Sequence, residues 1–187
     1  MNKQVVFIQG AGKGAYEIDG KLVTSLRAAL GAEYDVRYPK MPAEESAGYE
    51  EWKTRIMQEL GTLEGEMILV GHSAGGAILL KYLAEEKVGQ PIAGIFLIAI
   101  PYFGAPNWQV EQVTLPQDLA SHLPKQVPIF FYHSRDDEWV PFAHLAMYAK
   151  QLPQATRREF DRGGHQFNND LSKVAADITN LQGRASP

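Results

Sequence analysis

The run Gly71-His72-Ser73-Ala74-Gly75-Gly76 sets one serine among glycines, directly after the apolar stretch Met67-Ile68-Leu69-Val70. A strand that turns at once into a helix needs small residues at 71 and 75, because the two backbones nearly touch there. Such a turn strains the central residue and lifts the Ser73 hydroxyl clear of the sheet. The N–H groups at the start of the following helix favour a developing negative charge. This is a setting for nucleophilic attack by an alcohol.

A serine hydroxyl needs a base to take its proton. Histidines stand at 72, 122, 133, 144 and 165. His165 lies past the last strand-like run, in Arg162-Gly163-Gly164-His165-Gln166-Phe167, on a loop that the two glycines should make mobile. His72, inside the turn, reads as packing directed away from the hydroxyl, and His122 and His144 read as solvent-facing positions on helices.

The base in turn needs a carboxylate to orient it and stabilise its cation. Asp136, Asp137 and Glu138 compete in Ser134-Arg135-Asp136-Asp137-Glu138-Trp139-Val140-Pro141. Asp137 stands three residues before Val140-Pro141, where a helix starting at the proline would turn its carboxylate back toward the sheet edge. Asp136 reads as a turn former bonding its own backbone, and Glu138 as solvated. Ser73, Asp137 and His165 then follow in the chain order nucleophile, acid, base.

The elements that must position these groups alternate along the chain. Apolar runs at 4–9, 34–38, 66–71, 92–100, 127–133 and, more weakly, 157–161 read as strands. Between them, Tyr49, Trp52, Ile56 and Leu60 share one helical face, as do Ile78, Leu79, Tyr82 and Leu83. Gly61 is placed to cap the first of these helices. Leu171, Val174, Ala175, Ile178 and Leu181 give a last helix behind a cap among Asn168, Asn169 and Asp170. The pattern predicts an α/β three-layer sandwich, a mostly parallel sheet of about six strands with helices on both faces. One domain over 1–182 is expected, with 183–187 a flexible tail. In such sheets the chemistry lies at the carboxyl ends of the strands.

The chain has 187 residues, a net charge of -4 and no cysteine. The lack of cysteine excludes disulfides, thiol nucleophiles and thiolate metal sites. With no basic block, neither nucleic acid nor an anionic membrane is expected as a partner. No run reaches the length of a signal-peptide core or a membrane span, so a cytoplasmic protein is expected. No two histidines have ligand spacing, and neither a metal nor an organic cofactor is implied.

Taken together, the glycine turn after the first strand, the G-H-S-A-G-G turn, the D-x-x-V-P loop and the G-G-H loop resemble the α/β-hydrolase superfamily over nearly the whole chain. The small size and the Asp-Asp-Glu-Trp-Val-Pro loop look like the minimal serine hydrolases related to retinoblastoma-binding protein nine. One departure is Gln9-Gly10, where many relatives have His-Gly; the backbone donor is untouched, so the departure bears on fine geometry and not on the chemistry.

That resemblance bears on Val5-Val6-Phe7-Ile8-Gln9-Gly10-Ala11-Gly12-Lys13-Gly14-Ala15, which also fits a relaxed dinucleotide loop. A nucleotide loop calls for an acidic residue near the end of the second strand, but that strand ends in Arg37 and Tyr38. In the family pattern the loop serves a transient oxyanion, with backbone N–H donors at Ala11 and Ala74. Residues 101–126 fill the place of a lid and are too short for a cap domain. Gly10, Tyr102, Phe103, Trp108 and Trp139 are the expected substrate-binding residues, around a shallow pocket for small acyl esters. The resemblance implies ester cleavage through an acyl-enzyme; the alternatives are a degenerate hydrolase acting as a binding protein and a nucleotide-binding module.

Overall fold

In the computed structural model, which describes residues 2–181, the strands end in the loops that carry the candidate chemistry. The strands are β1 (Lys3–Ile8), β2 (Tyr34–Arg37), β3 (Met67–His72), β4 (Ile92–Ile98), β5 (Ile129–Ser134) and β6 (Thr156–Phe160). Every neighbouring pair is parallel, in the order β2-β1-β3-β4-β5-β6. The expected strands differ from these by no more than two residues at either end. The 183–187 tail lies outside the described residues.

Period-two alternation divides the core between the two faces of the sheet. Val5 and Phe7 of β1, Ile68 and Val70 of β3 and Phe96 and Ile98 of β4 pack under helices α1 (Ala15–Leu30) and α6 (Ser172–Asn180). Val6 and Ile8, Leu69, and Ile95 and Leu97 face the other way. There they meet helices α2 (Tyr49–Gly61), α3 (Ser73–Glu85) and α5 (Ala143–Gln151). Trp52 and Ile56 of α2 are fully buried, which stabilises the domain by about 1.5–3 kcal/mol for the isoleucine alone. The three-layer sandwich is the expected architecture in compact form.

Periodicity passes over α1. Its first residues read as a glycine-rich loop, and Asp19 interrupts its stripe; yet Leu22, Val23, Leu26 and Leu30 all face the core. Two helix ends also shift. Pro141 stands two residues before α5, where its carbonyl accepts the His144 N–H, and Gly61 is the last helical residue rather than the cap. Asp170, not an asparagine, receives the first N–H of α6, from Ser172 at 2.8 Å.

Strand order puts the candidate residues where β1 and β3 lie side by side. The chain leaves β1 toward α1 on one face and β3 toward α3 on the other, so the two loops part and leave a crevice. Residues 101–126 add one turn of 3-10 helix and α4 (Leu119–His122), which is no cap domain. Among the described residues no helix is long and apolar enough to cross a membrane.

Candidate active site

Ser73 opens α3 with φ at +50°, in the left-handed region that costs a non-glycine residue roughly 1–3 kcal/mol. The surrounding glycines explain how the turn survives. A Cβ on Gly71 would come within 2.5 Å of the Gly76 backbone, and one on Gly75 would strike the Gln9 carbonyl oxygen. The loop after β1 therefore lies directly against the start of α3. A Cβ on Gly10 would sit 3.1 Å from that of Ser73.

Each acidic residue after β5 grips the loop that carries His165. Asp137 presents both carboxylate oxygens to His165 Nδ1, at 3.0 and 2.9 Å, across 28 residues of chain. The Asp137 side chain is wholly buried and also accepts the N–H groups of Trp139 and Val140 and lies 3.3 Å from His133 Nε2. Burial opposes its charge, but His133, His165 and the Val140 N–H together hold its pKa well below the usual carboxylate range. Because Nδ1 faces a carboxylate, it carries the ring hydrogen and leaves Nε2 as the basic nitrogen.

Asp136 does more than form a turn. Its Oδ1 accepts Ser134 Oγ–H and the N–H groups of Gly163 and Gly164, at 2.5, 3.0 and 2.8 Å. Glu138, expected to be solvated, accepts the N–H of His165 at 3.0 Å. The two glycines thus dock the loop closely against β5 instead of loosening it. The loop is held by three consecutive side chains.

The glycine-rich loop after β1 is also held from within the protein. Glu44 accepts the N–H groups of Gly14 and Tyr16, and its backbone carbonyl accepts that of Gly12. Asp19 accepts the N–H of Gly10 at 2.7 Å. Protein carboxylates and carbonyls occupy the donors a nucleotide phosphate would use, which removes the basis for the nucleotide-loop reading. Among the described residues the Ala11 N–H has no hydrogen-bond partner. Ala74 lies in the first turn of α3, where N–H groups have no intrahelical acceptor.

Gly10, Ala11, Ser73, Ala74 and His165 line one cavity of about 450 Å³. Among the described residues Ser73 and His165 are not hydrogen-bonded to each other; both open onto that shared space, and such bonds often tighten only when substrate is bound.

Comparison with known proteins agrees with this architecture. The sequence matches the family described as serine hydrolase over residues 23–171. The chain belongs to that family. No curated protein sequence matches it significantly. Among solved structures, the ydeN gene product of B. subtilis is similar, with a TM-score of 0.73 and 21% identity, covering 98% of this chain and 100% of that one. Mouse α/β hydrolase domain-containing protein 10 is similar with a TM-score of 0.66 at 18% identity, covering 98% and 90%. The esterase domain of a Rhodothermus marinus protein gives 0.64 at 17%, covering 97% and 85%. At these identities the likeness is one of fold.

In this serine hydrolase family member the cavity rim is partly the one expected. Phe103, Trp108 and Trp139 line it, with Ile18 of α1 added. Trp139 is 71% exposed, so the mouth is open on that side. Tyr102 does not line the cavity. Its ring packs edge-on against Tyr148 and its hydroxyl accepts a hydrogen bond from Gln151, behind the rim.

Two histidines depart from expectation. His144 is buried, not solvent-facing: its Nδ1 accepts the Tyr102 N–H at 2.9 Å and its ring meets Trp108 edge-on. Burial, with His133 nearby, lowers its pKa. His72 is more than packing. It is buried and 2.9 Å from Asp19 Oδ2; although burial disfavours its charge, Asp19 raises its pKa, and Asp19 is correspondingly lowered. Asp19 could have been found as the polar residue interrupting the α1 apolar stripe, and Glu44 carries no signal that its sequence position reveals.

Proposed function

We propose that this protein hydrolyses small acyl esters, with Ser73 as nucleophile, His165 as general base and acid, and Asp137 as the carboxylate that orients it. The observation that carries this reading is the double contact of Asp137 with His165 Nδ1, which leaves Nε2 basic in a cavity that Ser73 also lines.

His165 Nε2 takes the hydroxyl proton as Ser73 Oγ bonds to the acyl carbon. The carbonyl π electrons move onto oxygen, and the Ala11 and Ala74 N–H groups receive that oxyanion. When the carbonyl re-forms, the ester C–O bond breaks and the His165 proton goes to the departing alkoxide. Water then repeats the attack on the acyl-serine, giving its proton to His165, which returns it to Ser73 as the carboxylic acid leaves. The rim of Phe103, Trp108 and Trp139 favours a compact apolar acyl or alcohol group. The fold hosts several acyl-transfer chemistries, so the ester preference rests on this pocket.

The test is a matrix of p-nitrophenyl and thioester substrates of two to twelve acyl carbons, run with wild type and Ser73→Ala. Turnover of the short oxygen esters that vanishes in the variant is expected. Turnover that persists in Ser73→Ala, or none on any ester, contradicts the proposal.

A further inference from the structure

His72 has an acceptor at each end of its ring. Nε2 lies 3.1 Å from the backbone carbonyl oxygen of His165, which can only accept, so Nε2 carries a hydrogen. Nδ1 lies 2.9 Å from Asp19 Oδ2. That oxygen also accepts the Gly10 N–H, while Oδ1 accepts the Gln166 amide at 3.1 Å. This is the bonding of an ionised carboxylate, so Nδ1 carries a hydrogen too. With a hydrogen on both ring nitrogens His72 would be an imidazolium and, with side-chain exposures of 1% and 2%, would form a buried ion pair with Asp19.

A buried ion pair is a poor source of stability, since apolar residues of similar volume often do as well. What this one does is join two loops from opposite ends of the sequence. Asp19 fixes the peptide of Gly10, next to Ala11, and His72 fixes the carbonyl of His165. Residue 165 is thereby held at every polar group but one: its N–H by Glu138, its C=O by His72 and its Nδ1 by Asp137. Only Nε2 is left for chemistry.

We infer that Asp19 and His72 are positioning residues that lock the oxyanion loop and the base loop into one register beneath Ser73. The inference rests on the roles proposed above for Ala11 and His165. Neither residue touches the reacting atoms; both act through the backbones they hold.

The test uses Asp19→Asn and His72→Asn, with kcat measured per active site titrated by a fluorophosphonate. Asp177→Asn serves as control, because Asp177 is a buried acid paired with Arg158 and Tyr132, away from the cavity. The expected result is a fall in kcat of about ten- to a hundredfold with KM within about twofold for the two site variants. Asp177→Asn should lose thermal stability and keep its kcat per site. Long-range nitrogen-15 NMR of the wild type should show both His72 ring nitrogens protonated at pH 7, a readout that stands even if Asp19→Asn fails to fold. An unprotonated ring nitrogen, or site variants with wild-type kcat, overturns the inference alone. A wild type with no Ser73-dependent turnover overturns the catalytic reading as well.

Discussion

Asp137 Oδ2 lies 2.9 Å from His165 Nδ1 and 3.3 Å from His133 Nε2, so one buried carboxylate faces two imidazoles from two different elements. This arrangement fixes the ring of His165 and shields its orienting partner from water. It also separates Asp137 sharply from its neighbour Asp136, whose bonds go to backbone and hydroxyl groups.

Asp137→Asn should therefore cut ester turnover by about 10⁴-fold, because an amide can hold the wrong tautomer of His165. Asp136→Asn should change turnover little. All three hydrogen bonds to Asp136 end on Oδ1, which an asparagine oxygen can replace. Steady-state kinetics on one short ester decides between the two, and the opposite ranking would reassign the carboxylate.

Gly75→Ala should destabilise the protein by about 3 kcal/mol or more, since the added methyl would meet the Gln9 carbonyl and force α3 away from β1. At this chain length that is a fall in Tm of about 6–12 °C. Calorimetry measures it. An unchanged Tm would mean that the turn has room the packing denies it.

Much of this candidate site was legible in the sequence because local chemistry leaves local marks. The glycines around Ser73 and the order of Ser73, Asp137 and His165 are such marks. What escaped were contacts made across the fold. The Asp19 carboxylate meets His72 across 53 residues, and Glu44 meets Gly14 across 30. Periodicity cannot report a polar side chain that faces the core to satisfy another loop. Tyr102 was misplaced because the path of the segment after β4, not its composition, decides which aromatic reaches the cavity.

Stability should depend on pH at both ends. Asp137 and Asp19 have folded pKa values below their ordinary value of about 3.9, so their contribution is present above that value and is lost as pH falls through the folded one. His72 is raised, so its contribution is full below about 6.5 and is lost as pH rises through its folded value. Thermal melts across pH should show a plateau that declines on both sides. In His72→Asn the alkaline decline should flatten, and a wild-type curve that instead rises above neutral pH would contradict the sign.

Trp139→Ala should raise KM for short p-nitrophenyl esters by about fivefold while leaving kcat nearly unchanged, since the indole lines the mouth and not the reacting centre. A fall in kcat without a change in KM would place Trp139 nearer the chemistry than its 71% exposure implies.

The most direct measurement is peptide mapping after treatment with a fluorophosphonate. A single covalent adduct on Ser73, abolished by His165→Ala and formed far more slowly in Asp137→Asn, is the expected result. An unlabelled Ser73 in folded wild-type protein, or labelling that ignores the loss of His165, would contradict the claim that these three side chains act as one catalytic unit.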